Sequence, residues 1–93
     1  MYNRTHERNF DPAKNHINIR RHGIDLEDVE GVFFDPMALT REDRDHEEQR
    51  FVTLGADGMG RLLVVAYIWR NDEIRVFSAR RAEPHERRYY EEG

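Results

Sequence analysis

The apolar positions change period along the chain. Up to residue 34 they are spaced as on helices; from residue 51 they gather into short blocks separated by turn residues. Asp11-Pro12 is a helix opening, with Asp11 as N-cap and Pro12 at the first helical position. It predicts a helix from Pro12 to His22, closed by Gly23, with Arg20, Arg21 and His22 in its last turn. The apolar content of that helix is thin: Ala13, Ile17 and Ile19. Asp25 then caps a second predicted helix, with Ile24 stapled onto Val29 and with Val29, Val32 and Phe33 as its buried stripe. Pro36 ends it, and residues 35–50 read as an acidic loop. Residues 1–9 read as a short edge strand or a flexible start.

Phe51 to Leu54 reads as a strand, and residues 55–60, with three glycines, as a turn. Arg61 to Trp69 is almost continuously apolar, as a central strand covered on both faces should be. Asn71-Asp72 makes a two-residue hairpin turn and Ile74 to Ala79 the returning strand. Pro84 starts a final helix to about Glu92. The order predicts one α+β domain over residues 1–93. It is a small antiparallel sheet of three to four strands, with two N-terminal helices and one C-terminal helix covering mainly one face.

Counting back from the hairpin turn pairs Arg70 with Glu73, Tyr67 with Val76, Val65 with Ser78 and Leu63 with Arg80. Tyr67, Ser78 and Arg80 would then share a face with Trp69 and Ile74. Leu62, Val64, Ala66, Ile68, Phe77 and Ala79 would form the core face, with Arg75 near one end. A tyrosine, a serine and an arginine this close could bind a phosphate and handle a proton. The plainer reading is that Tyr67 and Ser78 fill a partly buried face while Arg80 reaches solvent.

Composition narrows the classes. The chain has 93 residues, 38% hydrophobic and 37% charged, which suits one soluble domain. It has no cysteine, which excludes disulfides, thiolate metal sites and cysteine catalysis. No apolar run approaches the ~20 residues of a membrane span, and the polar stretch Met1–Phe10 is not a secretory signal. A cytoplasmic protein is expected. Of 15 cationic residues Lys14 alone is a lysine. Arginine grips phosphate through a planar fork, although a GC-rich genome would give the same bias. The net charge is −4, but it is segregated: residues 25–48 form an acidic block between two basic segments.

Other chemistry is sparse. His22, beside Arg20 and Arg21, could act as acid or base or could simply complement the helix end. The remaining histidines show no helical ligand spacing, so no metal site and no cofactor are expected. The run Glu42, Asp43, Asp45, Glu47, Glu48 lacks the glycine and spacing of a calcium loop and reads as solvated. It could attract a basic segment of a partner. There is no phosphate-binding glycine loop and no Ser/His/Asp order of a triad.

An ordered set of segments carries a resemblance. Phe10-Asp11-Pro12-Ala13-Lys14-Asn15, Arg21-His22-Gly23, Val32-Phe33 with Asp35-Pro36, Arg61-Leu62-Leu63-Val64-Val65, Ile74-Arg75 with Ser78-Ala79-Arg80-Arg81-Ala82, and Glu86-Arg87 together resemble the BrnT family. These are ribonuclease toxins of bacterial type II toxin–antitoxin systems. The resemblance implies a RelE-like α+β fold, metal-independent RNA cleavage, and neutralisation by a BrnA-like antitoxin of the ribbon-helix-helix type. It further implies that operator DNA is reached only through the antitoxin. Carried onto this chain it points to His22, Arg61, Tyr67, Arg75, Ser78, Arg80 and Arg81. Arg80 and Arg61 would meet the charge on phosphate, Arg75 or Arg81 would assist, and Tyr67 or His22 would move the proton. The alternative is a module that binds its antitoxin as a co-repressor without catalysis.

Overall fold

A four-stranded antiparallel sheet in the order β1-β2-β3-β4 organises the computed structural model, which describes residues 10–44 and 49–93. The strands are β1 (Leu39–Asp43), β2 (Arg50–Ala56), β3 (Leu62–Arg70) and β4 (Glu73–Arg81). Helix α1 (Pro12–His22) precedes them and α2 (Pro84–Glu92) follows. The expectation for residues 1–9, and Asp45, Glu47 and Glu48 of the acidic run, lie outside the described residues.

Local signals set the ends of α1. The Asp11 carboxylate accepts the Ala13 amide at 2.9 Å, and Gly23 closes the helix at φ +71°. The second predicted helix is instead two 3₁₀ turns, Leu26–Asp28 and Glu30–Phe34. Gly31 lies against the β2–β3 turn, where a Cβ would sit 2.5 Å from the Gly58 nitrogen. That contact and the β-branched and aromatic residues around it favour short turns over a continuous helix. The acidic loop also contains a strand that the sequence reading missed: β1 occupies Leu39–Asp43. It is short, charged and at the sheet edge, the form in which edge strands avoid stray pairing.

Asn71 and Asp72 turn the β3–β4 hairpin at φ 54° and 65°, so the predicted Arg70–Glu73 and Tyr67–Val76 pairs form. Beyond them a β-bulge leaves Phe77 unpaired: Ala66 faces Ser78, Val65 faces Ala79, Val64 faces Arg80 and Leu63 faces Arg81. The expected Val65–Ser78 and Leu63–Arg80 pairs are therefore shifted by one residue, which sends Ser78 and Arg80 to the opposite face. The assignment of the core face is reversed as well. Leu63, Val65, Tyr67, Val76 and Ala79 pack with Phe10, Ile24, Leu26, Val29 and Val32 into the core. The expected single covered face is corrected too, since α2 lies across the other one, its Glu86 bonded to Arg80.

Candidate functional site

The face of the sheet away from that core can be read rung by rung. Leu39, Leu54, Val64 and Arg80 form one rung, and Arg41, Val52, Ala66 and Ser78 the next. Asp43, Arg50, Ile68 and Arg75 form the third. Over the first two rungs an apolar strip of Leu54, Val64, Val52 and Ala66 thus runs between Arg41 on β1 and Ser78 and Arg80 on β4, and the third rung adds Asp43 and Arg50 beside Arg75. Successive rungs are roughly 7 Å apart, two residues of strand. A cleft of about 200 Å³ opens over the first two rungs, between Arg41, Val52, Val64, Arg80 and the α2 residues Glu86 and Tyr89.

Helix α2 is pinned to this end of the face by polar bonds. Both Arg80 terminal nitrogens donate to the Glu86 carboxylate at 2.8 Å, one to each oxygen. The Arg80 bonds hold Glu86 down at about 2, and burial opposes them. The same bonds raise the Arg80 pKa. Glu86 Oε1 also accepts the Glu83 amide at the helix start. At the far end the Tyr90 hydroxyl donates to Asp35 at 2.6 Å, and Asp35 accepts the Ala56 and Met37 amides. The Ala56 amide first, then Tyr90, lowers the Asp35 pKa, while the bond to Asp35 raises that of Tyr90. No residue of α2 is buried. The helix is thus held by two polar clasps rather than by an apolar face, which makes it a weakly bound element.

Of the residues singled out from the sequence, Arg75, Ser78 and Arg80 share the open face. Tyr67 is on the other side: it is buried, its hydroxyl is 2.8 Å from Thr53 Oγ1, and its ring meets Phe33 edge-to-face and stacks with Phe51. Arg61 sits in the β2–β3 turn, where its Nε donates to Asp57 at 2.7 Å. Burial raises the Asp57 pKa, but the bonds from Arg61 and the Met59 amide outweigh it and leave the pKa lowered. His22 closes α1, half-buried, and Arg81 is exposed at the end of β4, paired with Leu63 of the core face.

The structure adds Arg41, Arg50 and Glu86, which the sequence reading did not select. Arg41 becomes visible once β1 is recognised, because the ladder then puts it on the same face and rung as Ser78, across β2 and β3. Arg50 becomes visible because β2 starts one residue before Phe51, on the rung of Arg75. Glu86 had no signal beyond its place in the ordered pattern. Glu83, His85 and Glu86 lie close enough to share a metal ion. Glu86 is already committed to Arg80, and Glu83 and His85 are exposed. No helix among the described residues is long and apolar enough to cross a membrane.

Comparison with known proteins fits this geometry to a family. The model of a family described as the ribonuclease toxin BrnT of type II toxin–antitoxin systems matches residues 10–86. Among solved structures, the 1.1 Å crystal structure of the Brucella abortus ribonuclease toxin BrnT is similar, with a TM-score of 0.63 and 22% identity. The match covers 80% of this chain and 92% of that one, and it shows the shared fold. No curated protein matches the chain.

Proposed function

The chain belongs to the BrnT family of ribonuclease toxins of type II toxin–antitoxin systems, and we propose that it cleaves RNA on the open face of its sheet without a metal. The observation that carries this reading is the arrangement of Arg41, Arg75, Ser78 and Arg80 around an apolar strip. An RNA strand laid along the strip meets cations on both sides. Arginine forks stabilise the charge that gathers on the phosphate when the neighbouring 2′-OH attacks it. That charge stabilisation is the service a metal would otherwise provide.

Arg80 meets Glu86 through the same two parallel bonds that an arginine makes to a phosphate. Glu86 is thus a stand-in for the substrate phosphate. In the working complex the phosphate takes its place at Arg80, and Glu86, freed and less acidic, is positioned to accept the 2′-OH proton as that oxygen bonds to phosphorus, while the P–O5′ bond breaks and the leaving 5′-oxygen takes a proton from solvent water. Ser78 and Arg75 continue the contact along β4. Tyr67 and Arg61 hold the fold, and His22 and Arg81 stand apart from the reacting groups. The fold is of the RelE-like kind, and the protein acts in the cytoplasm. A BrnA-like ribbon-helix-helix antitoxin would neutralise it and carry the pair to operator DNA.

The test is incubation of the purified chain with end-labelled RNA and with DNA of the same sequence, both in EDTA. Cleavage of RNA alone, leaving 2′,3′-cyclic phosphate or 3′-phosphate ends, is expected, since DNA lacks the 2′-OH. A 3′-hydroxyl product, or loss of activity in EDTA, overturns the mechanism. An inert chain that still binds its antitoxin overturns catalysis and leaves the co-repressor module.

A further inference from the structure

Past the bulge, the open face ends in a second cavity of about 550 Å³, lined by Phe10, Lys14, Arg50, Arg75 and Phe77 among others. Four elements meet there: α1 supplies Lys14, β2 supplies Arg50, β3 supplies Ile68, and β4 supplies Arg75 and Phe77. Arg70 also lines it. Two carboxylates are near. Asp11 caps α1 through the Ala13 amide, and Asp43 faces Arg50 across the β1–β2 ladder.

Phe77 is the unpaired bulge residue, and its ring collects cations. The Arg50 guanidinium carbon lies 5.0 Å from the ring centre and the Lys14 ammonium 5.9 Å. Two like charges drawn to one ring repel each other unless an anion joins them. A second observation points the same way: Arg50 Nε is buried and has no hydrogen-bond partner. A buried N–H donor without an acceptor is costly, and a bound anion would satisfy it. Arg75 and Ser78 lie on the same strand face on either side of the bulge, roughly 10 Å apart along β4. That distance is a short step along an extended RNA strand.

We infer that Lys14, Arg50 and Arg75, gathered by Phe77, form a subsite for a backbone phosphate of single-stranded RNA flanking the bond that is cut. The inference rests on the ribonuclease reading. It assigns to the bulge the task of setting the distance between the reacting phosphate and this second one.

The experiment measures binding of a fluorescent 2′-O-methyl RNA, which cannot be cut, to wild type, Lys14→Ala and Lys14→Arg across a range of salt. Each lost phosphate contact lowers the slope of log affinity against log salt by roughly 0.7 for a single strand. Lys14→Ala is expected to lose about that much slope and Lys14→Arg to restore it, with unchanged thermal unfolding in both. A set of oligonucleotides, each with one neutral methylphosphonate, locates the contact. Wild type should weaken at one flanking position, and Lys14→Ala should be indifferent there. If wild type binds RNA but the variants share its slope and position profile, the subsite is wrong and the ribonuclease reading stands. If wild type binds no RNA, both fall.

Discussion

The Asn18 carboxamide meets Ala79 as a neighbouring strand would: it donates to the Ala79 carbonyl at 2.9 Å and accepts the Ala79 amide at 3.1 Å. It also donates to the Ile24 carbonyl, so one buried side chain joins α1, the turn after it and the edge of β4. Removing it leaves buried backbone groups without partners. Asn18→Ala is therefore expected to destabilise the protein by at least about 3 kcal/mol, since it orphans three backbone groups and each costs roughly 1–3 kcal/mol. Urea unfolding checks this; a midpoint close to wild type would show that water replaces the carboxamide without loss.

The same contact bears on where an antitoxin strand is expected to add. With Asn18 on Ala79 and Phe10 bridged to Val76, the β4 edge is covered in its middle, and β1 is the opposite edge of the sheet. A partner strand is expected to add to Leu39–Asp43, next to the acidic run that includes Glu42 and Asp43. Hydrogen exchange of the complex should show new protection of β1 amides. Association should slow with salt, and less so when Glu42 and Asp43 are neutralised. Protection confined to β4 would contradict this.

Tyr67 is expected to support the core rather than the chemistry. Its hydroxyl sits on Thr53, which in turn is 2.8 Å from Thr40 Oγ1. Tyr67→Phe should cost about 1 kcal/mol of stability and leave the rate of RNA cleavage within about twofold of wild type. A large loss of rate at full stability would return Tyr67 to the reaction.

Glu86 makes stability depend on acid. Its folded pKa of about 2 lies below the ordinary 4.5, so the folded state binds the proton less tightly than the unfolded chain. The Arg80–Glu86 contribution is therefore fully present above about pH 4.5 and is lost as the pH falls toward 2. Asp35 and Asp57, also lowered, act in the same direction. Glu86→Gln should flatten the fall in unfolding free energy between pH 5 and pH 2.5, where the wild type steepens. Parallel curves would mean that the pair adds nothing to stability.

The features legible in the sequence are those whose signal is local. Asp11, Gly23 and the Asn71-Asp72 turn act through their own backbone, and the structure places them as expected. β1 was hidden because a charged edge strand has the composition of a loop. The 3₁₀ turns depend on Gly31 meeting Gly58, a contact made only after β2 and β3 fold. The bulge had the largest effect, because nothing about Phe77 in the sequence marks it, and one extra residue moves Ser78 and Arg80 to the other face. Three of the seven candidates, Arg75, Ser78 and Arg80, meet on that face. Arg41, Arg50 and Glu86 required the strand order and the path of α2.

The most direct measurement of the central claim is single-turnover cleavage of labelled RNA in EDTA by wild type, Arg80→Lys and Arg80→Ala, beside their thermal unfolding. Arg80→Lys keeps a charge opposite Glu86 and so keeps the fold, but it loses the fork that grips phosphate. The open-face account predicts a fall of at least about tenfold for Arg80→Lys and about a hundredfold or more for Arg80→Ala, with the Arg80→Lys protein fully folded at the assay temperature. Folded variants that cut RNA at the wild-type rate would contradict it.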